Sequence, residues 1–406
     1  MSLFTKIFGT TGSTDQAAAA PREYDFATTL SMQLRGELEP ALALYQSAAA
    51  ADPNDCLAPF FAAAIRASQG EAAAAAESLR LLSQQAASEG ESISNKIVLA
   101  LTSQIGDESV PFSLPAVAQL VLAFGDLLKK EGLLRESAVT FEIAAGLAPD
   151  NANVLHKLGD TLHDLRIYDY AESVLQGALQ CAPNHWGALY SYAVLLQDLG
   201  RDEEAIACYQ KAVIFHPGHA KCQNNYGAAL LRTNRLEEAL VHCNLAAGLD
   251  PSSPFVKINL GNIHLLMQKY DTARRFFSEA IVLDDTLAPS YFGLAAVEQG
   301  VNGDPGRIRE LYLKALEINP SLAEAHLALG NQFAAEGNPE ALTHFAAAAQ
   351  LNDDLRNLQR DFGFACLQLG RREEALEHLR LALRQAPDDP ALQESLAGLE
   401  AESPAS

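Results

Sequence analysis

The sequence predicts an all-α solenoid of about ten helix-turn-helix units with a C-terminal capping helix. Three observations predict it. Small residues, leucines and prolines recur every 34 residues, about the length one helix-turn-helix unit needs. The composition is rich in the helix formers Ala, Leu, Glu and Gln, and it is 49% hydrophobic with 7% aromatic residues. Strand-like alternation of apolar and polar residues is nearly absent. In a stacked array each unit packs mainly on its neighbours, so 406 residues need not divide into compact globular domains.

The clearest unit runs from Trp186 to His219, with Tyr192-Ala193, Leu196, Gly200, Ala205, Tyr209, Ala212 and Pro217. The next repeats this series as Tyr226-Gly227, Leu230, Asn234, Ala239, Cys243, Ala246 and Pro251. Residues 1–21 read as a flexible Gly/Ser/Thr/Ala leader, and 22–89 as two degenerate units with Gly36 and Gly70 at their inner turns. Residues 90–117 break the period. Ile93–Ile105 has helical apolar spacing, Gly106, Pro111 and Pro115 interrupt it, and the segment reads as an extra helix, a loop and a hinge. Eight units then fill 118–389, and 390–406 form the capping helix and tail. The eighth unit holds one extra residue near Gly300–Gly306, a second point where the array is expected to bend.

Each recurring residue has a structural task. Gly or Ala after the leucine of the first helix lets the second helix approach closely, and the Ala opening the second helix matches it. The following Tyr or Phe fills the space between units. Gly at the inner turn permits a positive φ, and Pro after the second helix stops it. None of these residues is a catalytic candidate.

These features resemble the tetratricopeptide repeat, whose pattern is W-x2-L-G-x2-Y, then A-x3-F, then P. The L-G, A, Y/F, A and P parts are kept, as in Leu260-Gly261, Ala273, Phe277 and Ala280, while the Trp is mostly missing. The regular central copies are also similar to the repeats of O-linked N-acetylglucosamine transferases, without a catalytic domain. The resemblance implies a right-handed superhelix whose first helices line a concave groove that takes an extended peptide or short helix.

Groove-facing positions flank the Leu-Gly pair on each first helix. They are His156, Asp160 and His163 in the fourth unit, Tyr190 in the fifth, and Lys221, Asn224, Asn225 and Arg232 in the sixth. Asn259 and Asn262 follow in the seventh, and Asn331 in the ninth. An Asn side chain both donates and accepts, so it can pair with a peptide backbone whatever the peptide's sequence. Asn225 and Asn259, one unit apart, resemble a short stretch of the asparagine ladder of the transferase repeats. The Lys/Asn/Asn/Lys/Arg order of a chaperone-binding carboxylate clamp is not met.

The net charge of -22 opposes nucleic acid and anionic lipid. Six cysteines without a C-x-x-C motif read as packed thiols of a cytoplasmic protein. His156 and His163 are better explained as groove residues than as metal ligands, and 300–306 lacks the Lys and Ser/Thr of a phosphate loop. No cofactor motif or catalytic set stands out. Leu3, Phe4, Ile7 and Phe8 around Lys6 give residues 1–9 an amphipathic pattern suited to a membrane surface or a partner. The reading is a non-enzymatic scaffold for a protein or peptide. Its competitors are a recognition subunit serving a glycosyltransferase in trans and an assembly platform on a membrane. No feature sets an oligomeric state.

Overall fold

The computed structural model describes residues 24–52, 54–88, 92–105, 113–355 and 357–401. The leader with its 1–9 segment, most of the predicted loop at 106–112 and the tail after 401 lie outside the described residues. The described residues form 22 α-helices and no strand. The chain divides into two compact units at Pro217 and Gly218.

The first unit holds α1 (Phe26–Leu34), α2 (Leu38–Ala51), α3 (Leu57–Ser68), α4 (Ala72–Ser88), α5 (Ile93–Ile105), α6 (Leu114–Lys130), α7 (Leu134–Leu147), α8 (Ala152–Asp164), α9 (Tyr168–Cys181), α10 (Trp186–Asp198) and α11 (Asp202–Phe215). Apart from α5, they pair as consecutive helical hairpins, α1 with α2 through α10 with α11. The second unit holds α12 (Ala220–Arg232), α13 (Leu236–Leu249), α14 (Pro254–Leu266), α15 (Tyr270–Leu283), α16 (Ala288–Gly300), α17 (Pro305–Ile318), α18 (Ala323–Ala335), α19 (Glu340–Leu351), α20 (Leu358–Gln368), α21 (Arg372–Gln385) and α22 (Pro390–Ala401). Here the hairpins run from α12/α13 to α20/α21, and α22 lays Leu392 and Leu396 against Leu379 and Ala382 of α21.

Close approach within a hairpin depends on the small residue of its first helix. A Cβ added to Gly227 of α12 would lie 2.4 Å from Cys243 Sγ and 3.2 Å from the Ala239 carbonyl oxygen, both on α13. The inner turn closes the hairpin. In α10/α11 the Gly200 N–H donates to the Gln197 carbonyl and the Arg201 N–H to the Leu196 carbonyl, with Gly200 at φ +75°. Arg166, Asn234, Gln268 and Asn302 occupy the same left-handed conformation in their own turns. Arg and Gln adopt it at a cost that Gly avoids.

Two features differ from the sequence expectation. The helix expected to open near 118 begins at Leu114, because Pro115 fits a first helical turn, where no intrahelical N–H bond is needed. The segment 90–117 does not divide the molecule, since its flanks fall in one compact unit. The reason is that α5 packs on α7: Val98 lies against Gly146, and the Ser94 hydroxyl donates to Glu142 at 2.7 Å. Residues 300–306 form a turn inside the second unit, where the Asp304 carboxylate accepts the Arg307 N–H and caps α17.

Candidate functional site

The predicted site residues lie on first helices, and the two units present different chemistry there. In the first unit the helices are α6, α8 and α10. The Lys129 ammonium of α6 contacts Asp160 at 2.6 Å and Asp164 at 2.8 Å, both on α8. Lys157 of α8 reaches back to Asp126 of α6 at 2.6 Å. The Ser191 hydroxyl of α10 donates to Asp160 at 2.9 Å, and His163 meets Asp198 at 2.8 Å. Because Ser191 gives its proton to Asp160, the His156 contact at 3.1 Å requires His156 Nε2–H to donate to the Ser191 oxygen. That leaves His156 Nδ1 unprotonated, and it is buried without a hydrogen-bond partner.

Burial, opposed by the nearby Asp160 charge, pushes the His156 imidazole down to about 4. Burial also works against the Lys129 ammonium, but Asp160 and Asp164 outweigh it and raise its pKa. Burial would lift Asp160, yet Lys129 and Ser191 hold its carboxyl below the ordinary value. Local sequence supports the cluster. The His156 ring fits against α10 because position 187 is Gly, where a Cβ would come within 2.7 Å of it. His185 caps α10 by accepting the Ala188 N–H on Nδ1 at 3.1 Å. His156 and Asp160 are thereby bound into contacts between hairpins. Tyr190 is partly buried, with its ring centroid 6.2 Å from that of Tyr209 on α11.

In the second unit the corresponding helices are α12 and α14, and their polar row is neutral. Asn259 Nδ2 donates to Asn224 Oδ1 at 3.0 Å across the two helices. Asn224 is buried, while Asn225, Asn259 and Asn262 are half-buried. Lys221 and Arg232, near the two ends of α12, are exposed. Asn331 of α18 is exposed and donates to Asp361 of α20 at 3.1 Å. The structure thus joins Asn224 to Asn259, whereas the 34-residue register pairs Asn225 with Asn259.

Sequence reasoning did not single out Lys129, Asp126, Asp164 or Ser191. Their signal is an offset: polar partners on successive first helices of this unit stand 31 or 35 residues apart, two spacings that differ by about one helical turn. Among the described residues, no group of three or more His, Cys, Asp or Glu side chains could hold a metal ion. Four cysteines are buried, Cys208 is partly buried and Cys181 is exposed, and none is bonded to another. Burial pushes the Cys222 and Cys243 thiols up to about 12. No described helix is long and apolar enough to cross a membrane.

Stacked helical hairpins with a small residue at each crossing and a left-handed inner turn define an α-solenoid repeat protein. Models described as tetratricopeptide repeat match residues 171–220, 190–254 and 356–399. A tetratricopeptide repeat protein from Parabacteroides merdae has a similar fold, with 17% identity and a TM-score of 0.51 over 61% of this chain and 98% of that one. The Cut9–Hcn1 hetero-tetramer of the APC/C aligns over 83% of this chain and 74% of that one, with 13% identity and a TM-score of 0.53. No curated protein matches the sequence. Residues 171–254 and 356–399 carry tetratricopeptide repeats.

Proposed function

We infer that this chain is a non-catalytic scaffold that holds an extended segment of a protein partner along the first helices of its second unit. The observation carrying this reading is the Asn224–Asn259 pair together with Asn225 and Asn262, a row of neutral amides bridging two adjacent hairpins. Neutral amides exchange one hydrogen-bond partner for another without uncovering a charge, which suits them to a peptide backbone. The exposed Lys221 stands at one end of the row in a chain of net charge -22, so the partner segment carries an acidic residue at that end of its contact.

Affinity purification of the full chain followed by mass spectrometry identifies the partner. The captured protein is then titrated against wild type and a variant with Asn224, Asn225, Asn259 and Asn262 replaced by Ala. The expected result is at least tenfold weaker binding with the helical content of the array retained. Unchanged affinity would refute the site.

A further inference from the structure

Most second helices of the hairpins begin alike. The second residue is Glu39 in α2, Asp169 in α9, Glu203 in α11, Glu237 in α13, Asp271 in α15 and Glu373 in α21. A carboxylate is favoured there, because the unpaired N–H groups of the first turn give a helix a positive end. Helix α7 reverses the charge with Arg135, and no other second helix among the described residues has a cation at that place. Arg135 is exposed and makes no hydrogen bond or ion pair among the described residues. Its charge works against its own helix and serves no contact of the fold.

Arg135 stands where two cavities of the first unit meet. One, of about 440 Å³, lies between α7, α8 and the turn into α9, with Val139, Leu158, Leu162 and Ile167 on its walls. The other, of about 320 Å³, lies between α4 and α7, with Leu79 and again Val139 on its walls. Arg135 lines both. Ile167, at the first cavity, is 47% exposed, a large apolar side chain left in water. The carboxylates of the same walls are already engaged. Glu136 accepts from Arg80 at 2.6 Å, and Glu142 accepts from the Ser94 and Tyr170 hydroxyls at 2.7 and 3.0 Å. The surface therefore offers an apolar recess, an unpaired cation and a second apolar recess in succession. Two separate recesses on either side of a charge suit a peptide, which carries side chains at intervals.

We propose that this surface of α4, α7 and the α8–α9 turn is a second binding site, for a segment of a protein partner that carries one acidic residue between two bulky apolar side chains. The carboxylate pairs with the Arg135 guanidinium, which can give it two parallel hydrogen bonds, and the apolar side chains enter the two cavities. The site lies on the first unit and does not depend on the asparagine row. The test is selection of phage-displayed short random peptides on the full chain, followed by titration of a synthetic copy of the selected peptide. The expected peptides carry Asp or Glu between bulky apolar residues. They bind Arg135→Glu at least tenfold more weakly, and they bind the variant with Asn224, Asn225, Asn259 and Asn262 replaced by Ala as tightly as wild type. Arg135→Glu restores the charge found on the other second helices, so its thermal midpoint is expected to be unchanged or higher. A lower midpoint would make Arg135 a structural residue and overturn the proposal. So would selected peptides that bind Arg135→Glu as well as wild type, or that lose affinity on the asparagine variant instead. Selection of no such peptide would overturn it as well, and self-association of the chain lost in Arg135→Glu would then assign the surface to a second copy.

Discussion

Helices α6, α8 and α10 of the first unit and helices α12 and α14 of the second solve the same packing problem with opposite chemistry. In the first unit, Lys129, Asp160, Asp164, Ser191 and His156 satisfy one another across α6, α8 and α10. In the second, Asn224 and Asn259 share a neutral hydrogen bond across α12 and α14. One repeat can thus present two kinds of polar surface. Removing one member of a partly buried charged network leaves another charge without its partner, so that face resists change. An amide pair can be opened by an incoming backbone that supplies the same hydrogen bonds. The charged face fixes one hairpin against the next, and the binding role proposed above falls to the amide face.

The largest effect expected comes from breaking the neutral face at its base. Gly227→Leu forces α12 away from Cys243 and the Ala239 carbonyl and displaces the helix that carries Asn224 and Asn225. A loss of about 3 kcal/mol is expected, read as a lower midpoint in thermal or urea unfolding. An unchanged midpoint would remove the close-packing account of this glycine.

Next comes acid, which sharpens the comparison from the charged side. The His156 pKa in the folded chain, about 4, lies below that of an unfolded histidine, so the unfolded chain takes up a proton more readily. Its stabilising contribution is complete above about pH 6.5 and is lost as pH falls toward 4, an effect of roughly 2–3 kcal/mol. Hydrogen exchange of α8 and α10 at pH 7.5 and 4.5 reads this locally, as a repeat array requires. A His156→Gln variant should lose less protection on acidification than wild type. An equal loss in both would assign the pH dependence to other groups.

The smallest effect concerns the turns. Arg166→Gly relieves a left-handed backbone conformation at φ 62° between α8 and α9. It should stabilise the first unit by about 0.5–1 kcal/mol, whereas Gly200→Ala, at φ +75°, should destabilise it by a similar amount. Paired melting curves check both signs.

Much of the fold could be read from the sequence because packing residues recur with the repeat. Gly227, Ala239 and Cys243 stand where the spacing puts them, and their burial follows from it. The pairing of site residues could not be read in the same way. The repeat length places Asn225 with Asn259, but the helices meet one residue out of register, so Asn224 makes the bond. Which of two adjacent residues pairs depends on helix rotation, which a period alone does not carry. The placement of α5 was also hidden. Its apolar spacing predicts a helix, but its contacts with Gly146 and Glu142 are what show that it covers α7.

The division proposed is between an amide face that binds and a charged face that builds. It is tested by measuring partner binding and thermal unfolding on two variants side by side. One replaces Asn224, Asn225, Asn259 and Asn262 with Ala, and the other replaces Lys129 and Asp160 with Ala. The account predicts that the first loses at least tenfold in affinity with a nearly unchanged midpoint, while the second keeps its affinity and melts lower. Loss of affinity in the second variant with full binding by the first would contradict it.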